Sequence, residues 1–294
     1  MSHDGRFAPS PTGTLHLGNL RTALLAWLFA RTAGARFVVR MEDLDYGRVR
    51  AGAAARQLED LAALGLDWDG DVIFQSSRVG IYAAAVERLR AAGLVYECFC
   101  TRAEIRAAAS APQEPLAEGV YPGTCLRLTE GERRRKRGGG RPPALRVRAA
   151  GARIAFTDRL QGPQEGVVDD FVVVRNDGAP AYNLAVVIDD AWQSVGEVVR
   201  GDDLLDSTPR QLFLAGLLDL PAPTYAHVPL VLGRDGARLA KRHGAVTLDD
   251  IAPRAALGWM AGTLGLPPAE RAAELLEAFD PDAVPREPVR MRPM

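Results

Sequence analysis

The chain has 294 residues, 47% hydrophobic and 25% charged, the balance of an ordinary globular protein long enough for one large domain or two moderate ones. Its 36 basic and 37 acidic residues nearly cancel, so any nucleic-acid surface has to be a local patch rather than a property of overall charge. No run is long enough to span a bilayer and no basic-then-apolar leader opens the chain, so a cytoplasmic location without membrane contact is the default expectation.

In chain order, a short strand is expected over residues 5–8. It leads into R-F-A-P-S-P-T-G-T-L-H-L-G-N, residues 6–19, which gather two Pro, two Gly, three hydroxyl residues, Arg6 and His16 into fourteen positions. An apolar helix follows over residues 20–33, closed by Gly34. Strand, loop and helix start in that order suit phosphate, because a helix N-terminus offers unpaired N–H groups and partial positive charge. On spacing alone an ordinary Pro/Gly loop with a solvated His reads nearly as well. Residues 36–41 form a β-branched strand, and Glu42, Asp43 and Asp45 come directly after it. Carboxylates there point into the crevice where open α/β sheets bind ligands, or simply cap the next helix. Helices over residues 49–64 and 78–92 end at Gly65 and Gly93, and the alternation argues for a parallel sheet.

The three cysteines, Cys98, Cys100 and Cys125, fall in one short segment. An odd number cannot pair off, and a cytosolic chain rarely keeps disulfides. A C-x-C pair plus a third Cys suggests a tetrahedral zinc site lacking one ligand, for which Tyr121, Glu97, Glu104 or water are candidates. The bland reading is three small buried apolar residues. Residues 130–143, E-G-E-R-R-R-K-R-G-G-G-R-P-P, read as a mobile connector or solvated basic loop. Strands are then expected over residues 145–148, 153–157 and 171–175, a helix over 182–191 and a strand over 197–201 ending in Arg200. A helix capped by Ser207-Thr208-Pro209 and a strand over 227–232 follow. A helical stretch from 247 to about 279 precedes a Pro-rich end that is loosely held. Of the 36 basic residues only Lys136 and Lys241 are lysines. Lys136 sits in an Arg run. Lys241 stands in a Gly-flanked basic loop and is the better functional candidate.

Together these stretches resemble the class I glutamyl- and glutaminyl-tRNA synthetases. His16-Leu17-Gly18-Asn19 stands at the position of their His-Ile-Gly-His signature, and Arg238-Leu239-Ala240-Lys241-Arg242 resembles Lys-Met-Ser-Lys-Ser. Tyr182-Asn183 and V-V-R-G-D-D-L-L-D-S-T-P-R-Q match as well, over about residues 5 to 250 in order. The resemblance implies an α/β fold, with a Rossmann-type parallel sheet, an inserted zinc-bearing acceptor-side subdomain and a short helical C-terminal segment. The expected division is 1–97 and 176–250 for the two catalytic halves, 98–175 for the insertion and 251–294 for the C-terminal segment. Only some fifty residues follow the second signature, and they are expected to be too few for an anticodon-binding domain.

The short C-terminal segment and a Cys-x-Cys, Tyr, x3, Cys pattern are similar to a truncated branch of the family. Its members activate glutamate without tRNA and attach it to the queuosine base in the anticodon loop of tRNA(Asp). The resemblance implies L-glutamate held by Arg6, Phe7, Ala8, Pro9, Ser10, Glu42, Tyr182 and Arg200. It implies ATP held by His16, Gly18, Asn19 and Lys241, with His16 and Lys241 catalytic. Cys98, Cys100, Tyr121 and Cys125 would hold one structural Zn2+. Mg2+ is expected with ATP, and nothing demands more than a monomer. Arg6 and Arg200 can each offer a two-pronged contact to carboxylate, Glu42 can pair with the ammonium, and Lys241 suits departing pyrophosphate. The chain departs from the family at Asn19, Arg238 and Ala240, and its 100–121 loop is longer than a compact zinc knuckle. Two other readings are a synthetase acting on the tRNA acceptor end and a silent tRNA-binding paralogue.

Overall fold

The computed structural model describes residues 4–109, 120–233, 236, 239 and 246–291. Strand β1 (Gly5–Phe7) runs parallel to β2 (Phe37–Met41), which runs parallel to β3 (Ile73–Phe74). Between β1 and β2 lies α1 (Leu17–Thr32). Eleven of its 16 residues are buried, on every side rather than along one stripe, as expected of a helix enclosed by other elements. It lies against β1, β2 and β9 on the sheet and against α8, both described below. Helix α2 (Ala53–Ala63) connects β2 to β3, and α3 (Val79–Ala91) follows β3.

The chain then leaves the sheet. Strands β4 (Val95–Cys98), β5 (Ala144–Val147) and β8 (Val172–Val174) form a small antiparallel sheet in the order β4-β5-β8. Helices α4 (Arg102–Ala109) and α5 (Glu130–Gly138) lie between β4 and β5. Between β5 and β8, β6 (Arg153–Asp158) and β7 (Gly162–Val167) return to the main sheet. They fall inside the range 98–175 that the sequence assigns to the insertion. Helix α6 (Tyr182–Trp192), β9 (Glu197–Gly201), α7 (Thr208–Leu217) and β10 (Thr224–Val228) complete the second half. Strand β10 pairs in parallel with both β9 and β6, while Asp4 bridges Val195 in parallel and Gly196 N donates to Asp4 O at 2.9 Å. The strands therefore follow the order β3-β2-β1-β9-β10-β6-β7, parallel except for β7 at the edge. The order reverses between β1 and β9, so the crevice beyond their carboxyl ends is the place where such sheets bind ligands.

Several local expectations are corrected. Residues 130–138 are not a loop. Thr129 and Glu132 form a reciprocal capping box, Thr129 Oγ1 accepting from Glu132 N at 3.3 Å and Glu132 Oε2 from Thr129 N at 2.7 Å. The strand expected over 227–232 begins three residues earlier and is broken at Pro229, which has no N–H for the ladder; β11 (Val231–Leu232) resumes beyond it. The long C-terminal helix shrinks to α8 (Pro253–Thr263), closed by Gly265 at φ +70° and followed by Pro267-Pro268. Nor is the tail loose. Strand β12 (Val289–Arg290) pairs with β11, Phe279 tilts against Phe29 at 5.5 Å between ring centroids, and Val284 is buried. Among the described residues no helix is long and apolar enough to cross a membrane.

Candidate active site

The crevice is built from the start of α1. His16 is its N-cap: its Nδ1 accepts from Asn19 N at 3.2 Å, while Asn19 Oδ1 accepts from His16 N at 3.4 Å. An accepting Nδ1 puts the ring proton on Nε2. Gly18 allows this seat. A Cβ there would meet His16 Nδ1 at 3.0 Å, His16 Cε1 at 3.1 Å and Val231 Cβ at 3.4 Å. Asn19 thus closes the helix start rather than standing apart from it. The chain flanking the second signature is fastened here as well: Leu17 N donates to Val246 O at 2.9 Å, His16 bridges Thr247, and Leu239 N donates to Val231 O at 3.1 Å. Arg238, Ala240 and Lys241 lie outside the described residues.

At the ends of β1 and β2 the charges alternate. Arg6 Nε donates to Asp190 Oδ1 at 3.3 Å and Nη1 to Val199 O at 3.2 Å, while its Nη2 has no hydrogen-bond partner among the described residues. Arg40, fully buried, reaches Asp190 Oδ1 at 2.8 Å, Gln193 Oε1 at 2.7 Å and Glu42 Oε1 at 3.4 Å. Behind them Asp189 accepts from Gln75 at 2.9 Å, Arg78 at 2.8 Å and the Tyr82 hydroxyl at 2.6 Å. Burial disfavours a charged Asp190, yet Arg40 and Arg6 outweigh it and hold that carboxyl below its usual range. At Glu42 the balance falls the other way. Burial pushes the carboxyl up, and Arg40 and Arg6 offset only part of the rise. Glu42 N donates to Pro9 O at 2.9 Å, which pins the acid to the first loop.

Arg200 is held differently. Its Nε donates to His227 Nε2 at 3.0 Å, Nη1 to Gln211 Oε1 at 2.8 Å and Tyr182 Oη at 3.3 Å, and Nη2 to Thr208 Oγ1 at 2.9 Å and Leu204 O at 3.3 Å. Every nitrogen of this guanidinium already donates to protein. The N–H groups that a two-pronged contact from Arg200 would use are thus engaged with protein, one of them on the Tyr182 hydroxyl. His227 Nδ1 meets Asp158 Oδ2 at 2.6 Å. With Nε2 accepting from Arg200, Nδ1 carries the proton and the ring is neutral. Burial lowers its pKa, and Asp158 does not restore it.

A cleft of about 580 Å3 joins Ser10, Glu42 and Tyr182 to Cys98, Cys100 and Arg102 of the insertion. Of the remaining candidates, Phe7 and Pro9 are buried, Phe7 in the main core, so their reach to a ligand is through the backbone. Ala8 is half-buried and Ser10 exposed. The three cysteine sulfurs lie within 4.8 Å of one another, Cys100 and Cys125 at 3.4 Å. Tyr121 Oη is 3.4 Å from Cys98 Sγ and 3.7 Å from Cys100 Sγ. Tetrahedral zinc, with Zn–S of about 2.3 Å and Zn–O of about 2.0 Å, sets S···S near roughly 3.8 Å and S···O near roughly 3.5 Å. The spacing of the three thiols is compatible with a zinc ion among them. Arg146 stacks on the Tyr121 ring at 3.7 Å, and Cys125 N donates to Tyr121 Oη at 2.8 Å, so the phenol is held facing the thiols. Glu97 and Glu104 are committed elsewhere, Glu97 to Arg137 at 2.8 Å and Glu104 to Thr101 N at 2.6 Å.

The family model for the catalytic domain of class I tRNA synthetases (E and Q) matches residues 4–260. The chain belongs to this family. Within the synthetases, it is similar to a protein named glutamyl-Q tRNA(Asp) synthetase from Nocardia farcinica, 61% identical over 97% of this chain and 91% of that one. A protein of the same name from Symbiobacterium thermophilum is 51% identical over 98% of this chain and 95% of its own. Among solved synthetases, the fold matches a glutamate tRNA ligase from Elizabethkingia meningosepticum in complex with its amino acid. The TM-score is 0.83 at 28% identity, over 99% of this chain and 67% of that one. A glutamate-tRNA synthetase from Elizabethkingia anophelis matches with a TM-score of 0.84 at 28% identity, over 99% and 68%. Sequence reasoning alone missed Arg40, Asp158, Asp190, Gln211 and His227. The available signal was polar residues inside otherwise apolar runs, such as V-V-I-D-D-A-W and Y-A-H-V.

Proposed function

We propose that this chain is an ATP-dependent ligase that activates L-glutamate as glutamyl-adenylate without tRNA and then transfers the glutamate to the queuosine base in the anticodon loop of tRNA(Asp). The observation that carries the reading is the presence of Arg6, on β1 and with Nη2 unengaged among the described residues, together with Glu42, directly after the adjacent strand β2, beside the start of α1. That arrangement suits a ligand with a carboxylate and an ammonium placed next to an anion site. The names of the similar proteins support glutamate and tRNA(Asp) as substrates.

In the first step a carboxylate oxygen of glutamate attacks the α-phosphorus of ATP. The bond from that phosphorus to the bridging oxygen breaks, and pyrophosphate leaves with the electron pair. In the second a nucleophile on the queuosine base attacks the activated carbonyl and AMP departs. Such transfers depend on positioning and charge stabilisation more than on covalent help. Arg6 would grip a carboxylate, Glu42 the ammonium, and Tyr182, aimed by Arg200, would close the pocket. The backbone of residues 7–10 would shape it. His16, Gly18 and Asn19 would hold the phosphates, with Lys241 supplying mobile positive charge. Cys98, Cys100, Tyr121 and Cys125 would hold a zinc ion that ties down the insertion, and Mg2+ would accompany ATP. A cytoplasmic setting supplies ATP and tRNA and keeps the three thiols reduced.

The test is glutamate-dependent pyrophosphate–ATP exchange without tRNA, followed by transfer of labelled glutamate. Exchange together with periodate-sensitive labelling of tRNA(Asp) only when it bears queuosine is expected. Absence of exchange by the zinc-loaded protein refutes the activation step. Labelling of tRNA(Glu) instead would favour the acceptor-end reading that the similar glutamate tRNA ligase structures keep open.

A further inference from the structure

Arg40 and Asp190 belong to none of the groups assigned above to glutamate, ATP or metal. Arg40 is fully buried, and Asp190 is 6% exposed. Burying ions is costly, and a buried ion cluster that serves only stability is often replaceable by apolar side chains. Here the cluster ends in two groups of opposite sign, Arg6 and Glu42, of which Glu42 lines the cleft. Asp190 Oδ1 is shared between Arg6 Nε at 3.3 Å and Arg40 Nη1 at 2.8 Å, and Arg40 Nη2 continues to Glu42 Oε1 at 3.4 Å. Arg40 Nη1 also donates to Gln193 Oε1 at 2.7 Å, so its planar fork has little freedom.

We infer that Arg40 and Asp190 are positioning residues for amino-acid selection. Asp190 orients the Arg6 guanidinium toward a carboxylate, and Arg40 holds the Glu42 carboxylate in place for an ammonium. The two ends of the ligand are thereby read by one connected unit, Arg6–Asp190–Arg40–Glu42. This rests on the reading of Arg6 and Glu42 as the glutamate-binding pair.

The two roles separate with a ligand that lacks one end. Glutarate carries both carboxylates of glutamate and no ammonium. Arg40→Gln is expected to raise KM for glutamate in pyrophosphate exchange by roughly tenfold or more, the loss of a charge-assisted hydrogen bond, with a smaller change in kcat. It should weaken glutarate by a distinctly smaller factor, because that ligand makes no use of the Glu42 charge and feels Arg40 only through Asp190 and Arg6. Asp190→Asn should weaken both ligands by about tenfold, since both need Arg6. In a Glu42→Gln background, Arg40→Gln should cost glutamate little more. Where Arg40→Gln fails to fold, by circular dichroism, Arg40→Lys carries the same comparison, as Lys keeps the charge and loses the fork. Equal weakening of glutamate and glutarate by the Arg40 variants, or a full additive loss in the Glu42→Gln background, overturns the inference. If Arg6→Gln and Glu42→Gln themselves leave KM for glutamate unchanged, it is the assignment of the glutamate pocket that fails.

Discussion

Replacing Asp158 by Asn tests whether the buried Asp158–His227–Arg200 chain holds the second half of the pocket. Asp158 is 1% exposed, and its two oxygens accept from Leu160 N at 3.0 Å, Gln161 N at 2.9 Å, His227 N at 3.1 Å and His227 Nδ1 at 2.6 Å. Asn keeps one acceptor oxygen. Used on the Leu160 and Gln161 side, it leaves an amide N–H facing the ring N–H of His227. The imidazole can then move its proton to Nε2, but there it meets the Nε–H of Arg200, now 3.0 Å away as a donor. One charge-assisted hydrogen bond worth about 1.5–3 kcal/mol is lost and one buried donor is left unpaired at a cost of about 1–3 kcal/mol, a destabilisation of roughly 3–5 kcal/mol. At about 2–4 °C per kcal/mol for a chain of this size class, Tm should fall by on the order of 10 °C. Calorimetry at pH 7.5 measures it, and KM for glutamate in pyrophosphate exchange should rise as Arg200 and Tyr182 lose their orientation. A Tm drop under about 2 °C with unchanged KM would refute the reasoning, since it lies far below the loss of a single buried charge-assisted bond.

Acid should expose the same chain. Burial holds His227 below the ordinary imidazole value of about 6.5, so the unfolded chain binds the extra proton first as pH falls. The stability this neutral ring provides is complete above that value and is lost below it, at up to about 1.4 kcal/mol per pH unit. Urea denaturation between pH 5 and 7 should show the slope, and His227→Gln should flatten it; an unchanged slope would assign the acid sensitivity elsewhere. Zinc analysis by plasma mass spectrometry should find about one ion per chain, absent from Cys98→Ser and Cys125→Ser. A folded, metal-free wild-type protein would discredit the site. Gly18→Ala should displace the His16 ring, whose atoms its Cβ would meet at 3.0–3.1 Å, costing about 1 kcal/mol of cap stability and lowering exchange activity. Full activity in that variant would mean that the position of His16 does not matter.

What the sequence disclosed was local. Strand-loop-helix order around His16 and the C-x-C spacing are both short-range patterns, and the structure brings their residues together. Helix α5 was also readable, because Thr129-x-x-Glu132 is a capping box, but a run of Arg and Gly masks it in composition. The tail is a different case. Strand β12 finds its partner 58 residues earlier in β11, a register set by tertiary packing that no window of sequence contains. The same holds for Asp190 and His227. Each sits in an apolar run that reads as core, and its partners lie on distant strands: Arg6 and Arg40 for Asp190, Asp158 for His227. The full set of donors on Arg200 could not be foreseen either, since it depends on α7 and β10 converging on one side chain.

The fastening of residues 232 and 246 bears on how this molecule tolerates change. Leu17 N donates to Val246 O on one flank, and on the other β11 is paired with β12 near the end of the chain. Val231 of β11 is also the residue that a Cβ at Gly18 would meet at 3.4 Å, beside the His16 ring. Cutting the chain before Val289 would take away the donors that Leu230 O and Leu232 O use, Val289 N and Met291 N, each at 3.0 Å. The C-terminal residues are in this sense a buttress for the start of α1, and a truncation there would be felt at the crevice as well as at the tail.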